Sequence, residues 1–87
     1  MYIILVYDVG EKRVGKMLKL CRRYLNWIQN SVLEGELTPS RLLALQEEIK
    51  QLIDPSEDSV IVFKSRESRW LDKVIWGVEK GATDVFL

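Results

Sequence analysis

Asp8 closes a run of six strand-forming side chains, Tyr2 to Tyr7. Four residues later a cationic stretch begins, with Lys12, Arg13, Lys16, Lys19, Arg22 and Arg23 set against Glu11 alone. A carboxylate at the carboxyl end of a strand lies at the rim of a sheet, where ligands and metals collect. The cations beside it suit a polyanion, and the acidic surplus falls elsewhere: Glu34, Glu36, Glu47, Glu48, Asp54, Glu57 and Asp58 face only Arg41 and Lys50 across residues 34–58. Each signal has a plainer reading. Asp is a favoured N-cap, so Asp8 can simply start the next helix, and a charged stretch can be a solvated helix face.

The chain has no histidine and one cysteine, Cys21. Histidine-based acid–base chemistry, Ser-His-Asp and Cys-His catalysis, and His- or Cys-ligated zinc are therefore excluded within one chain. Any metal must be held by oxygen, which points to magnesium, manganese or calcium. A lone cysteine forms no internal disulfide and fits a reducing compartment, so a cytoplasmic location is expected. No stretch of 18 apolar residues predicts a membrane span, and no basic leader precedes the first strand. Phosphate-cradling glycine loops are absent. An RNA-recognition motif shares the fold class expected below, but Val60 to Phe63 lacks its Gly-aromatic consensus.

The elements that must position Asp8 and the cations follow from periodicity. Residues 87 in number predict one domain, small enough to favour oligomerisation. The first strand ends at Asp8. Val9-Gly10 breaks it, and Glu11 to about Tyr24 forms an amphipathic helix with Val14, Met17, Leu18, Cys21 and Leu25 on its apolar side and Lys12, Lys16, Lys19 and Arg23 on the other. Leu25 to Leu37 is one long strand or a hairpin hinged near Gln29-Asn30-Ser31, with Gly35 marking a bulge or a close backbone approach. Thr38 caps a second helix with Pro39 in its first position, Leu42, Leu45, Ile49, Leu52 and Ile53 in its buried stripe, and Asp54-Pro55 at its end. Ser59 to Lys64 is a strand, and Lys73 to Val78 and Thr83 to Leu87 have strand character. The order β-α-β-β-α-β with an extra strand is that of an α+β ferredoxin-like sandwich. The first strand is apolar at both parities, so a second sheet should cover the face the helices leave bare. A symmetric homodimer does this most simply, with the C-terminal region, residues 73–87, pairing across the interface.

Tyr2-Ile3-Ile4-Leu5-Val6-Tyr7-Asp8-Val9, the helix start Lys12-Arg13-Val14, the segment Trp27 to Gly35 and the strand opening Asp58-Ser59-Val60 together resemble the CRISPR-associated family commonly called "Cas two", in order and over nearly the whole chain. The resemblance implies a ferredoxin-like homodimer whose C-terminal strands add to the partner's sheet. It also implies a role in CRISPR adaptation, the spacer-acquisition branch of antiviral defence, beside an integrase subunit and nucleic acid. Family members are described both as magnesium-dependent endonucleases on RNA or double-stranded DNA and as non-catalytic scaffolds. Asp8 matches the family's metal-binding acidic residue and Ser31 its serine; Arg13 and the basic positions near Arg23 match nucleic-acid-contacting side chains only loosely. Leu33 replaces the family's usual Phe.

Two expectations follow. In one, Asp8 from both protomers holds a single Mg2+ or Mn2+ with its waters, and Lys12, Arg13, Lys16, Lys19, Arg22, Arg23 and Ser31 hold the nucleic acid for phosphodiester cleavage. In the other, Lys16, Lys19, Arg22, Arg23 and neighbouring basic residues lay a dimeric scaffold along duplex DNA and position the integrase. An mRNA-cleaving toxin of similar fold and a domain with no nucleic-acid role are the remaining readings.

Overall fold

The computed structural model describes residues 1–67 and 74–81. Six elements run in the order β1 (Tyr2–Asp8), α1 (Glu11–Arg22), β2 (Asn26–Gln29), β3 (Val32–Glu36), α2 (Pro39–Leu52) and β4 (Ser59–Ser65). The strands form one antiparallel sheet in the order β2-β3-β1-β4, with β1 central and both helices on one face. This is the ferredoxin-like α+β sandwich. No helix among the described residues is long and apolar enough to cross a membrane.

Alternation along β1 sets the layers. Ile3, Leu5 and Tyr7 point to the helices and are buried, while Tyr2, Ile4 and Val6 stay half-exposed on the opposite face and Asp8 is exposed. The core joins the buried set to Met17, Leu20 and Cys21 of α1, Leu33 of β3, and Leu45 and Ile49 of α2. Within the chain, then, β1 is buried on one face only. Register places Val32, Ile61 and Phe63 beside Ile4 and Val6 on the open face, with Ile61 52% and Phe63 56% exposed. Leu33 is a fully buried core residue on the helix side, so a Phe at this position would pack inward.

The hairpin reading holds, with Asn30 at φ +42° in the turn. Asparagine tolerates that left-handed conformation because its short polar side chain bonds locally. The bulge falls on β2, between Trp27 and Gln29; Gly35 is the close approach, since a Cβ there would lie 3.2 Å from Leu25 Cδ2. Thr38 caps α2 through its Oγ1, which accepts from Arg41 N at 3.2 Å. In α1 the expected stripe holds at Met17 and Cys21, which are buried, and at Leu18, which packs against the core, while Leu20 joins them and Val14 is exposed. Val74 to Val78 is irregular rather than a strand: Gly77 sits at φ +104°, a conformation that breaks an extended run, and Trp76 is 93% exposed. Lys73 and Thr83 to Leu87 lie outside the described residues.

One polar joint crosses the layers. Asp58, just before β4, has a fully buried side chain that receives four hydrogen bonds: Arg13 Nε at 2.5 Å and Nη2 at 2.9 Å, Gly10 N at 2.7 Å and Asp54 N at 2.8 Å. The Arg13 guanidinium above all, together with the backbone donors, holds the Asp58 carboxyl well below the usual carboxylate range. It ties the loop after β1, the first turn of α1 and the end of α2 to the start of β4.

Three outcomes are expected. Leu33→Ala should cost about 2–5 kcal/mol of unfolding free energy in a urea titration. Burial pushes the Cys21 thiol up to about 11, so a thiol reagent at mildly alkaline pH should leave native protein untouched and label it fully once unfolded. The stabilisation from Asp58 is present above the unfolded carboxylate pKa of about 3.9 and is lost as pH falls through its lower folded value. The stability gap between native chain and Asp58→Asn should therefore be widest near neutrality and shrink below about pH 4, read from melts across pH.

Candidate nucleic-acid interface

Asp8 does not cap the helix. The N-cap of α1 is Gly10, which brings no capping side chain of its own; its amide donates to Asp58 Oδ1 at 2.7 Å. Asp8 instead ends β1 opposite Ser59, exposed and with no hydrogen-bond or ion-pair partner among the described residues. It borders an open cleft of about 340 Å³ with Tyr7, Val9, Val14, Asn30 and Ser31. The β2–β3 turn reaches this spot because Tyr7 N donates to the Ser31 carbonyl at 3.1 Å. Sequence reasoning named Asp8 as a metal residue and Ser31 as a nucleic-acid contact, each separately, and the fold brings both to this one cleft. The same reasoning read Asn30 only as a turn former and Val14 only as core.

The polar side chains among its lining residues carry one carboxylate, one amide and two hydroxyls, and neither sulfur nor imidazole. That chemistry suits a hard divalent cation. It is also sparse, for no group of three acidic, cysteine or histidine side chains converges among the described residues. Waters, and a second copy of Asp8, would have to complete the coordination.

The cations divide by environment. Lys12, Lys16 and Lys19 are exposed and have no ion-pair partner among the described residues. At positions four and then three apart they align along one face of α1. Arg13 differs: its guanidinium is bound to Asp58 and lies 3.3 Å from Glu57, and these carboxylates raise its already high pKa. Arg23 leans toward α2, with Nη1 3.2 Å from Glu48 Oε1. The Tyr24 hydroxyl donates to the same carboxylate, and Arg41 stacks 4.3 Å from the Tyr24 ring centroid. That hydroxyl, assisted by Arg23, lowers the Glu48 pKa. Arg22 and Arg23 still border a cleft of about 430 Å³ with Gly15, Leu18 and Lys19.

The open sheet face is not purely apolar. Tyr2 donates its hydroxyl to Glu34, which lies opposite Ile4 and is largely buried. Burial first, and then Glu34, push the Tyr2 phenol up to about 12.

Comparison with known proteins fits this architecture. The family model described as "CRISPR associated protein Cas2" matches residues 1–73. A relative from Thermotoga maritima, named CRISPR-associated endoribonuclease Cas2, is 52% identical over 81 residues, 93% of each chain. A relative of the same name from Dictyoglomus turgidum is 45% identical over the full length of both. Among solved structures, one described as a crystal structure of Cas2 superposes with a TM-score of 0.84 at 39% identity, covering 92% of this chain and 90% of that one. Streptococcus pyogenes Cas2 at pH 6.5 gives 0.72 at 28% identity, covering 85% and 99%. With its sheet order, its Asp8 rim and these likenesses, the chain belongs to the Cas2 family of CRISPR-associated proteins.

Proposed function

We propose that this chain serves CRISPR adaptation as a dimeric, nucleic-acid-binding scaffold for the integrase subunit. The observation that carries this reading is the division of the α1 cations, which leaves Lys12, Lys16 and Lys19 uncommitted along one helix face. From Lys12 to Lys19 that face runs about 10 Å at 1.5 Å per residue. Duplex DNA carries one charge per about 1.7 Å of axis, so the stripe is long enough to meet several phosphates. Phosphate contacts of this kind hold a strand without reading bases.

The dimer in this reading rests on the bare face. Ile4, Val6, Val32, Ile61 and Phe63 form an apolar patch that two copies would bury by stacking sheets. An apolar groove of about 410 Å³ also lies beside β4, bordered by Leu42, Ile49, Val60 and Val62. The C-terminal region of a partner, residues 73–87, would add there.

A second reading, metal-dependent cleavage of RNA or duplex DNA, is favoured by one observation: Asp8 is exposed and unpartnered beside Asn30 and Ser31. The word endoribonuclease in the relatives' names points the same way. Asp8, from one or both protomers, would hold Mg2+ or Mn2+. The cation would supply an acidified water and neutralise phosphate charge, while the α1 lysines keep the backbone in place.

Two measurements test these readings. Duplex affinity should fall steeply with salt, and each of Lys16→Gln and Lys19→Gln should lower the log–log slope by about one; a flat salt response would count against the scaffold. For cleavage, Asp8→Asn should abolish magnesium-dependent product in a nuclease-free preparation while leaving duplex affinity intact. Equal cleavage by the native chain and Asp8→Asn would remove the second reading.

A further inference from the structure

Arg13 sits on the basic helix but is spent on Asp58. Its Nε and Nη2 are bound to that buried carboxylate and Nη2 lies near Glu57. The same carboxylate takes the amide of Gly10, the N-cap of α1. That N-cap has no side-chain hydrogen bond, so the start of α1 lacks the usual means of fixing a first turn. Asp58 supplies the missing hold from another element. It grips the N-cap amide with one oxygen and, through Arg13, the first turn from its side. The fit is close: a Cβ on Gly10 would lie 2.5 Å from Arg13 Nη2 and 2.9 Å from Glu57 Oε1. Gly10 has φ −56° and ψ 147°, which any residue can adopt, so an added Cβ would strain no backbone and would act by pushing aside the Arg13 guanidinium and the Glu57 carboxylate.

Resting on the nucleic-acid-binding reading above, we propose that Asp58 is the positioning residue of the basic face, acting through Arg13 and Gly10 to fix the turn that presents Lys12 and Lys16. Arg13 is then a latch and not a phosphate contact. Simple electrostatics and the latch make opposite predictions. Removing the negative charge of Asp58 should strengthen binding to a polyanion if charge alone matters, and more so if it releases Arg13 toward phosphate. With a latch, the same change loosens the helix start and weakens binding.

The test is fluorescence anisotropy of a labelled DNA duplex against the full chain and its variants in a series of NaCl concentrations, below the melting temperature of each. Asp58→Asn should weaken binding by roughly three- to tenfold, the scale of coupling within a shared side-chain network, with the salt slope unchanged. Gly10→Ala changes no charge and should weaken binding in the same way; it carries the test should Asp58→Asn fail to fold. Arg13→Gln combined with Asp58→Asn should be no weaker than Arg13→Gln alone. Tighter or unchanged binding by both Asp58→Asn and Gly10→Ala would overturn the proposal, even if their melting temperatures fall. So would an Arg13→Gln slope lower by about one, the mark of a direct phosphate contact. A flat salt response of the native chain would instead remove the nucleic-acid reading, and this inference with it.

Discussion

The two-residue period of β1 is the constraint from which the other placements follow. With β1 in the centre of the sheet, paired to β3 on one side and β4 on the other, one parity must supply the core and the other must face away from the helices. Ile3, Leu5 and Tyr7 take the first role. Tyr2, Ile4, Val6 and Asp8 are thereby committed to the second. A slip of one residue would bury the Asp8 carboxylate against α1 and expose the core, so the position of that acid is fixed by hydrophobic burial elsewhere on the strand. The same parity puts Asp8 on the face that carries Ile61 and Phe63, and any second sheet stacked there approaches the acid as well.

Around this apolar frame two polar clusters hold the ends of α1. The Asp58 joint lies at one end of the sheet, and the Glu48 cluster holds the far end of α1 to α2. A buried ion pair adds little net stability when complete, yet losing one partner leaves an uncompensated charge. Such a pair serves geometry more than cohesion. Here it makes the orientation of α1 depend on a residue in the loop before β4.

Much of this was legible in the sequence because the signals were local. Thr38-Pro39 announced the start of α2, Asn30 the hairpin turn, and the apolar runs announced β1 and β4. The role of Asp58 was not, because its partners Gly10 and Arg13 are 48 and 45 residues away and no window of periodicity spans them. Asp58 read as part of a strand opening, and Arg13 read as one more cation in a stripe. One position of the α1 stripe was misread: Val14 fits the apolar spacing, but at the helix start it borders the Asp8 cleft and is exposed. Val74 to Val78 has strand composition, but Gly77 turns the backbone out of an extended path.

Trp76 stands almost wholly in water, on a segment whose Val74 and Val78 are also exposed, while Trp27 packs against the core. An indole in water emits at longer wavelength than one shielded from it. The chain therefore carries its own optical reporter on the most exposed apolar segment among the described residues: whatever comes to cover residues 74–78 will announce itself as a blue shift, with no label attached.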